Sequence, residues 1–214
     1  MKLETVLKPI EEAHGLPNEC YISKEHYLLE REKIFFSNWS AVGFISDAAQ
    51  PGDVSPVNFL GMPLLLVRNK DTTIKVFQNV CRHRGMVLID EPCHLRGPIR
   101  CPYHSWSYDY NGNLVRTPYV GGVGVDEHES ISPAELSLHE IRSHVWQGVV
   151  FVNISGDAPD FEVAHKDLIK RWIEFEQPYH IGGKASRFDM ELDTNWKLAV
   201  ENYCESYHLS LIHI

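Results

Sequence analysis

No apolar stretch of this chain approaches the ~20 residues that a bilayer-spanning helix needs. Residues 1–16 alternate apolar and charged side chains and lack the apolar centre of a secretory signal. Basic runs are missing too: 20 Lys and Arg stand against 29 Asp and Glu, for a net charge of −9. That balance excludes nucleic acid and anionic lipid as main partners and gives no reason to expect a membrane. No internal repeat and no low-complexity tract is present, so a repeat architecture is excluded. Cysteine is scarce and odd in number: Cys20, Cys81, Cys93, Cys101 and Cys204. Such a set without a leader argues against a disulfide framework and for reduced thiols in the cytoplasm. What remains is 214 residues, 43% hydrophobic and 23% charged, enough for one full globular domain and part of a second.

The residue pattern divides the chain. Ser23 is a plausible N-cap for a helix over 24–36, with Tyr27, Leu28, Ile34 and Phe35 as its apolar stripe. From Trp39 the texture changes to short apolar or alternating runs at 39–45, 54–60, 63–67 and 73–78, punctuated by Pro51-Gly52, Gly61 and Lys70-Asp71. These read as antiparallel strands. Residues 106–110 and 114–116 flank Asn111-Gly112, which predicts a hairpin with a type I′ turn. Residues 138–146 and 149–154 form a further strand pair. After Gly156-Asp157-Ala158-Pro159 the pattern turns helical over 161–175, then a short strand at 186–192, then a helix from Thr194 to about His208. The expected layout is an N-terminal helical segment 1–38, a β domain 39–155, and the truncated start of a mixed domain 156–214.

Two short motifs carry the chemistry. Cys81-Arg82-His83 closes a predicted strand and is followed by Arg84-Gly85. Cys101-Pro102-Tyr103-His104 follows after 17 intervening residues. Two Cys/His pairs on two loops can converge on one centre in which thiolates suit one iron and neutral imidazoles the other. Each motif alone is a weak signal; together, in a β context, they are specific. A structural zinc site uses the same donors, but zinc fingers place Cys-x₂₋₄-Cys before His-x₃₋₅-His, and the order here is Cys-x-His then Cys-x₂-His. Cys93-His94 lies between the pairs without either spacing and reads as loop.

On Cys81, His83, Cys101 and His104 the sequence resembles the Rieske [2Fe–2S] family. Respiratory members carry an extra cysteine in each loop; Met86 and Tyr103 stand at the corresponding places here, so no disulfide can form beside the cluster. The runs His83-Arg84-Gly85 and Tyr103-His104-Ser105-Trp106 resemble the large (alpha) subunits of Rieske non-heme iron oxygenases. The resemblance implies an all-β Rieske domain of antiparallel strands with two cluster-binding loops, followed by the start of an α+β helix-grip catalytic domain.

The stretch Asn195-Trp196-Lys197, then Glu201 through His208, extends the likeness into that catalytic domain. Glu201, Glu205 and His208 are spaced i, i+4, i+7 and are expected on one helix face. His208 and His213 are five apart, so the helix must end between them if both bind one iron. By resemblance, His208 and His213 are ligands of mononuclear Fe(II), a later carboxylate completes the triad, and Glu205 bridges His104 of one subunit to His208 of its neighbour. A 2-His-1-carboxylate triad leaves coordination positions open for O₂. Trp196, Tyr203 and Tyr207 read as core packing, and Cys204 as a small buried residue. The last six residues, 209–214, also match one reading frame of a common transposon adapter, so the expectation is a fragment with a non-native tail.

The function that the resemblance implies is the oxygenase component of a multicomponent, homotrimeric assembly: NAD(P)H supplies electrons through a separate reductase, with or without a ferredoxin, for O₂-dependent hydroxylation of a small aromatic or quaternary ammonium substrate. The alternative is a Rieske ferredoxin without catalysis of its own, which would end near Ile154.

Overall fold

A computed structural model of the chain describes residues 3–176, 178, 180, 182 and 186–205. The chain divides into two compact units, Lys33–Gln177 and Met1–Glu32 with Pro178–Ile214. No helix among the described residues is long and apolar enough to cross a membrane.

The first unit is built on ten antiparallel strands: β1 (Ser40–Phe44), β2 (Asp53–Phe59), β3 (Met62–Arg68), β4 (Ile74–Gln78), β5 (Cys93–His94), β6 (Ile99–Arg100), β7 (Ser107–Tyr108), β8 (Leu114–Arg116), β9 (Glu140–Trp146) and β10 (Val149–Asn153). Seven form one sheet in the order β1-β10-β9-β4-β3-β2-β5, and β6-β7-β8 form a second. Alternation along β3 explains how one strand serves two cores. Leu65 and Val67 join Phe77, Ile99, Tyr108 and both motif cysteines, Cys81 and Cys101, on one face. Leu64 and Leu66 pack with Val76, Val150 and Val152 on the other. Leu64 through Val67 are wholly inaccessible, the condition that lets a continuous apolar run sit mid-sheet.

Several expectations are corrected. The Asn111-Gly112 turn is not a two-residue type I′ turn. Asp109 O accepts from Gly112 N at 3.0 Å, so Tyr110 and Asn111 are the central residues and Gly112 follows at φ +83°. The Asp109 side chain selects this longer loop by accepting from the amides of Asn111 and Asn113, both at 2.9 Å. Cys93-His94 is a short strand paired to Asp53 and Val54 rather than loop. The 161–175 helix breaks at His165 into α3 (Phe161–Ala164) and α4 (Lys166–Trp172) with a 3₁₀ turn at Ile173–Phe175. Residues 186–192 form no strand, for among the described residues no neighbour accepts and donates their ladder bonds.

The second unit contains α1 (Glu19–Ile22), α2 (Lys24–Glu30) and α5 (Trp196–Cys204). Ser23 caps α2 by accepting from His26 N at 3.2 Å, as its sequence position predicts. The helix expected over 24–36 is α-helical only to Glu30 and continues as a π-helical turn over Arg31–Phe36, and its stripe differs from the expected one: Leu28 and Ile34 are exposed, while Glu30 is buried. A partnered charge has taken the inward position.

Candidate metal centre

Loop one runs from Cys81 to Met86 and loop two from Cys101 to Trp106, and the two have the same backbone hydrogen bonding. Cys81 N donates to Met86 O at 2.8 Å and Gly85 N to Cys81 O at 3.0 Å. Twenty positions on, Cys101 N donates to Trp106 O at 2.8 Å and Ser105 N to Cys101 O at 3.0 Å. Each loop is closed by a strand pair just outside it, Val80 with Val87 and Arg100 with Ser107. The left-handed residue is Gly85 (φ +72°) in one and Ser105 (φ +59°) in the other. In this frame Cys81 and Cys101 are equivalent, whereas His83 is the third loop residue and His104 the fourth. That one-residue offset is why the sequence reads Cys-x-His and Cys-x₂-His.

The four side chains fall into two pairs. Cys81 and Cys101 are 2% exposed, and both are free thiols. Burial pushes the Cys81 thiol up; the Tyr108 hydroxyl opposes this and the neighbouring Cys101 adds to it. The His83 and His104 rings meet edge-to-face with centroids 4.8 Å apart. Burial, then the charges of His104 and Arg84, hold His83 below the ordinary histidine value, which favours the neutral imidazole that binds metal. Among the described residues no three His, Cys, Asp or Glu side chains enclose a single ion. A thiol pair and an imidazole pair match the donor set of a binuclear centre, two sulfur ligands to one iron and two nitrogen ligands to the other.

Two aromatic residues complete the site that the motifs alone did not indicate. Trp106 is stacked on His83, with centroids 4.7 Å apart and planes 10° from parallel. Tyr108, fully buried, places its hydroxyl 3.3 Å from Cys81 Sγ and accepts from Arg82 N at 3.0 Å. Because the hydroxyl already accepts from an amide, its own proton is free for the sulfur. Burial first, then the Cys81 contact, pushes the phenol far above its ordinary value, so it stays protonated. The signal for Tyr108 was its place in β7, but which sulfur it meets is fixed only by the fold. Met86, at the closing end of loop one, and Tyr103, within loop two, are both exposed, and neither position holds a cysteine.

The third group of expected site residues lies elsewhere. Glu205 belongs to the unit containing α5 and is not on its helical face: the helix stops at Cys204, and Glu205 is its C-cap with extended backbone (φ −82°, ψ 120°). The last turn has no basic residue to balance the carbonyl end of the helix dipole, and a further carboxylate there is unfavourable. Glu201 is on the helix and accepts from Tyr21 Oη at 2.8 Å. Tyr203 and Cys204 are exposed rather than core residues, and Trp196 is partly buried. Tyr207, His208 and His213 lie outside the described residues.

Comparison with known proteins agrees with this division. Residues 38–128 match the Rieske [2Fe-2S] domain, and residues 182–214 match the ring hydroxylating alpha subunit (catalytic domain). The oxygenase subunit of carnitine monooxygenase from Acinetobacter pittii is 30% identical over 94% of this chain and 53% of that protein. The alpha subunit of biphenyl dioxygenase from Paraburkholderia xenovorans is 30% identical over 96% of this chain and 46% of that protein. The solved structure of the quaternary ammonium Rieske monooxygenase CntA with γ-butyrobetaine superimposes with a TM-score of 0.80 at 30% identity, covering 94% of this chain and 56% of that one. The chain spans about half the length of the curated relatives it matches.

Proposed function

We propose, for a chain that belongs to the alpha subunits of the Rieske non-heme iron oxygenases, that the intact protein is the oxygenase component of an NAD(P)H-driven hydroxylase. The observation that supports this most directly is the pairing of two buried thiols with two edge-to-face imidazoles, on a chain that continues into an alpha-subunit catalytic domain. A ferredoxin has no use for that continuation. In this reading Cys81 and Cys101 hold one iron of the [2Fe–2S] cluster and His83 and His104 the other. Residues 39–155 form the electron-carrying domain, and the catalytic domain begins at 156. His208 and His213 are ligands of the mononuclear iron, and Glu205 accepts hydrogen bonds from His104 of one subunit and His208 of its neighbour in a homotrimer. When bound, the two metal groups would supply single electrons and O₂ activation: substrate, O₂, two electrons and two protons would give either a hydroxylated product and water or a dihydroxylated product holding both oxygen atoms.

The protein's own residues do the rest. The two loops fix both imidazoles, and a carboxylate between two histidines fixes their tautomers. The substrate is a small quaternary ammonium or aromatic compound. Glu at position 205 and the carnitine monooxygenase relatives favour the former. A separate reductase, with or without a ferredoxin, delivers the electrons in the cytoplasm.

The test is direct. The intact protein is reconstituted, assayed for iron and labile sulfide, and supplied with NADH, a Rieske-oxygenase reductase and a panel including γ-butyrobetaine and biphenyl. Expected are two labile sulfides per chain, a reduced signal with average g below about 2, and coupled O₂ uptake with one panel member. Zinc in place of iron and sulfide, or no turnover of any member, refutes the reading.

A further inference from the structure

The helix that leads to Glu205 has an unusual attachment. Of the described residues of α5, only Lys197 is buried. Leu198, Val200 and Tyr203 are exposed. What holds the helix to its own unit is therefore polar. Lys197 Nζ donates to both oxygens of Glu30, at 2.7 and 2.9 Å. Trp196 Nε1 donates to Glu30 Oε2 at 2.9 Å, and His26 Nε2 lies 3.0 Å from Glu30 Oε1. Glu30 and Lys197 are 7% and 8% exposed, so the pair is desolvated. Around it, Asn195 Nδ2 donates to Tyr21 O at 2.8 Å and Tyr21 Oη to Glu201 Oε1 at 2.8 Å. The Lys197 ammonium also lies 5.5 Å from the Tyr21 ring and 5.2 Å from the Trp196 ring.

Apolar contacts tolerate sliding and rotation, whereas a two-pronged ion pair does not. Glu30 accepts from adjacent residues of α5, Trp196 and Lys197, and so fixes the rotation of the helix about its axis as well as its position along it. Tyr21 then fixes the far half through Glu201. Glu205 is the next residue after the helix, eight positions from Lys197 and about 12 Å along the axis at 1.5 Å per residue. A carboxylate that must reach hydrogen-bond distance of two imidazoles at once tolerates only a fraction of an ångström of error, and rotation at the anchored end is transmitted to it by the helix.

We propose that Glu30 and Lys197 are positioning residues for Glu205: the N-terminal helices are part of the catalytic unit, and their buried ion pair sets the register of the helix that delivers the bridging carboxylate. The inference rests on the reading of Glu205 as that bridge.

The experiment uses the intact, iron-loaded protein, with γ-butyrobetaine or biphenyl as probe, whichever the panel turns over. Glu30→Gln and the double variant Glu30→Leu/Lys197→Met are compared with the unaltered protein, and Glu205→Gln is the control. For each, three quantities are measured: amide hydrogen exchange over residues 198–205, the reduction potential of the cluster, and the single-turnover rate at which probe and O₂ oxidise the pre-reduced cluster. In Glu30→Gln we expect faster exchange over 198–205, an unchanged potential, and oxidation slowed about a hundredfold, the cost of an ångström-scale misplacement. The double variant removes the desolvated charges together, so its melting temperature recovers while the rate stays low. A normal rate in Glu30→Gln, or recovery of the rate together with the melting temperature in the double variant, overturns the proposal and leaves the pair a structural one. If Glu30→Gln does not fold, the double variant decides alone by the same criterion. A slow Glu205→Gln beside normal anchor variants sinks this proposal and spares the bridge. A normal rate in Glu205→Gln, or turnover of neither probe, removes the bridge reading and this proposal with it.

Discussion

The Tyr108 hydroxyl accepts a hydrogen bond from Arg82 N at 3.0 Å and lies 3.3 Å from the Cys81 sulfur. With Cys81 a thiolate ligand, the phenol is the only donor of that pair. A donor to a ligand sulfur stabilises the more negative, reduced state of a cluster, so it raises the potential. Tyr108→Phe keeps the buried ring and removes the bond. Its expected effect is a fall in reduction potential of about 40 mV per kcal/mol of differential stabilisation, from 59 mV per tenfold for one electron. Voltammetry of the loaded protein checks this, and an unchanged potential would show that the contact carries no charge stabilisation. The phenol is held far above its ordinary value, by burial first, so the difference between Tyr108→Phe and the unaltered protein should not vary between about pH 6 and 9.

Hairpins and helix ends set the next scale. In the β7–β8 hairpin, Gly112 has φ +83° and a Cβ there would lie 2.5 Å from Cε1 of the wholly buried Phe77. Gly112→Ala therefore combines backbone strain of about 1 kcal/mol with overpacking of about 1–3 kcal/mol. Urea unfolding should report a loss in that combined range. Gly85→Ala at φ +72° meets nothing nearer than Val80 Cγ1 at 4.0 Å and should cost only the strain. Equal losses at the two sites would refute the clash. At α5, burial of Glu30 pulls its carboxyl upward, but the bonds from Lys197 and Trp196 and the charge of His26 outweigh this and hold it below the ordinary range. A carboxyl depressed in the folded state stabilises fully above its unfolded value of about 4.3, and that contribution is lost as pH falls through the folded value. Hydrogen-exchange protection of α5 should fall on acidification below that value, and Glu30→Gln should flatten the dependence. A dependence that persists in Glu30→Gln would place the responsible carboxyl elsewhere.

Over the whole molecule, Cys81, His83, Cys101 and His104 all lie in the unit Lys33–Gln177, whose two cores are drawn from its own residues. The other unit joins the N-terminal helices to α5, across a separation of 167 residues at the Glu30–Lys197 pair. Within that second unit, the described residues 186–194 that precede α5 are exposed. Limited proteolysis of the cluster-loaded polypeptide is therefore expected to cut there first and to leave a core that keeps its visible spectrum and about two irons. Loss of colour at the first cut would show that cluster retention depends on the second unit.

The sequence by itself singled out Cys81, His83, Cys101 and His104, because motif spacing is a local property, and determined most of the large strands, because alternation and apolar runs are written over five to seven residues. Only the tertiary structure decided the rest. That Cys-x-His and Cys-x₂-His are the same loop twice appears once the closing hydrogen bonds are seen. The longer turn before Gly112 was chosen by the Asp109 side chain over the Asn-Gly preference. Tyr108 meets Cys81 from 27 residues away, and Glu30 occupies an inward position that periodicity reserved for Leu28 or Ile34. Contacts between residues so far apart leave no period in the sequence. Their energy comes from desolvated partners that only the folded chain brings together.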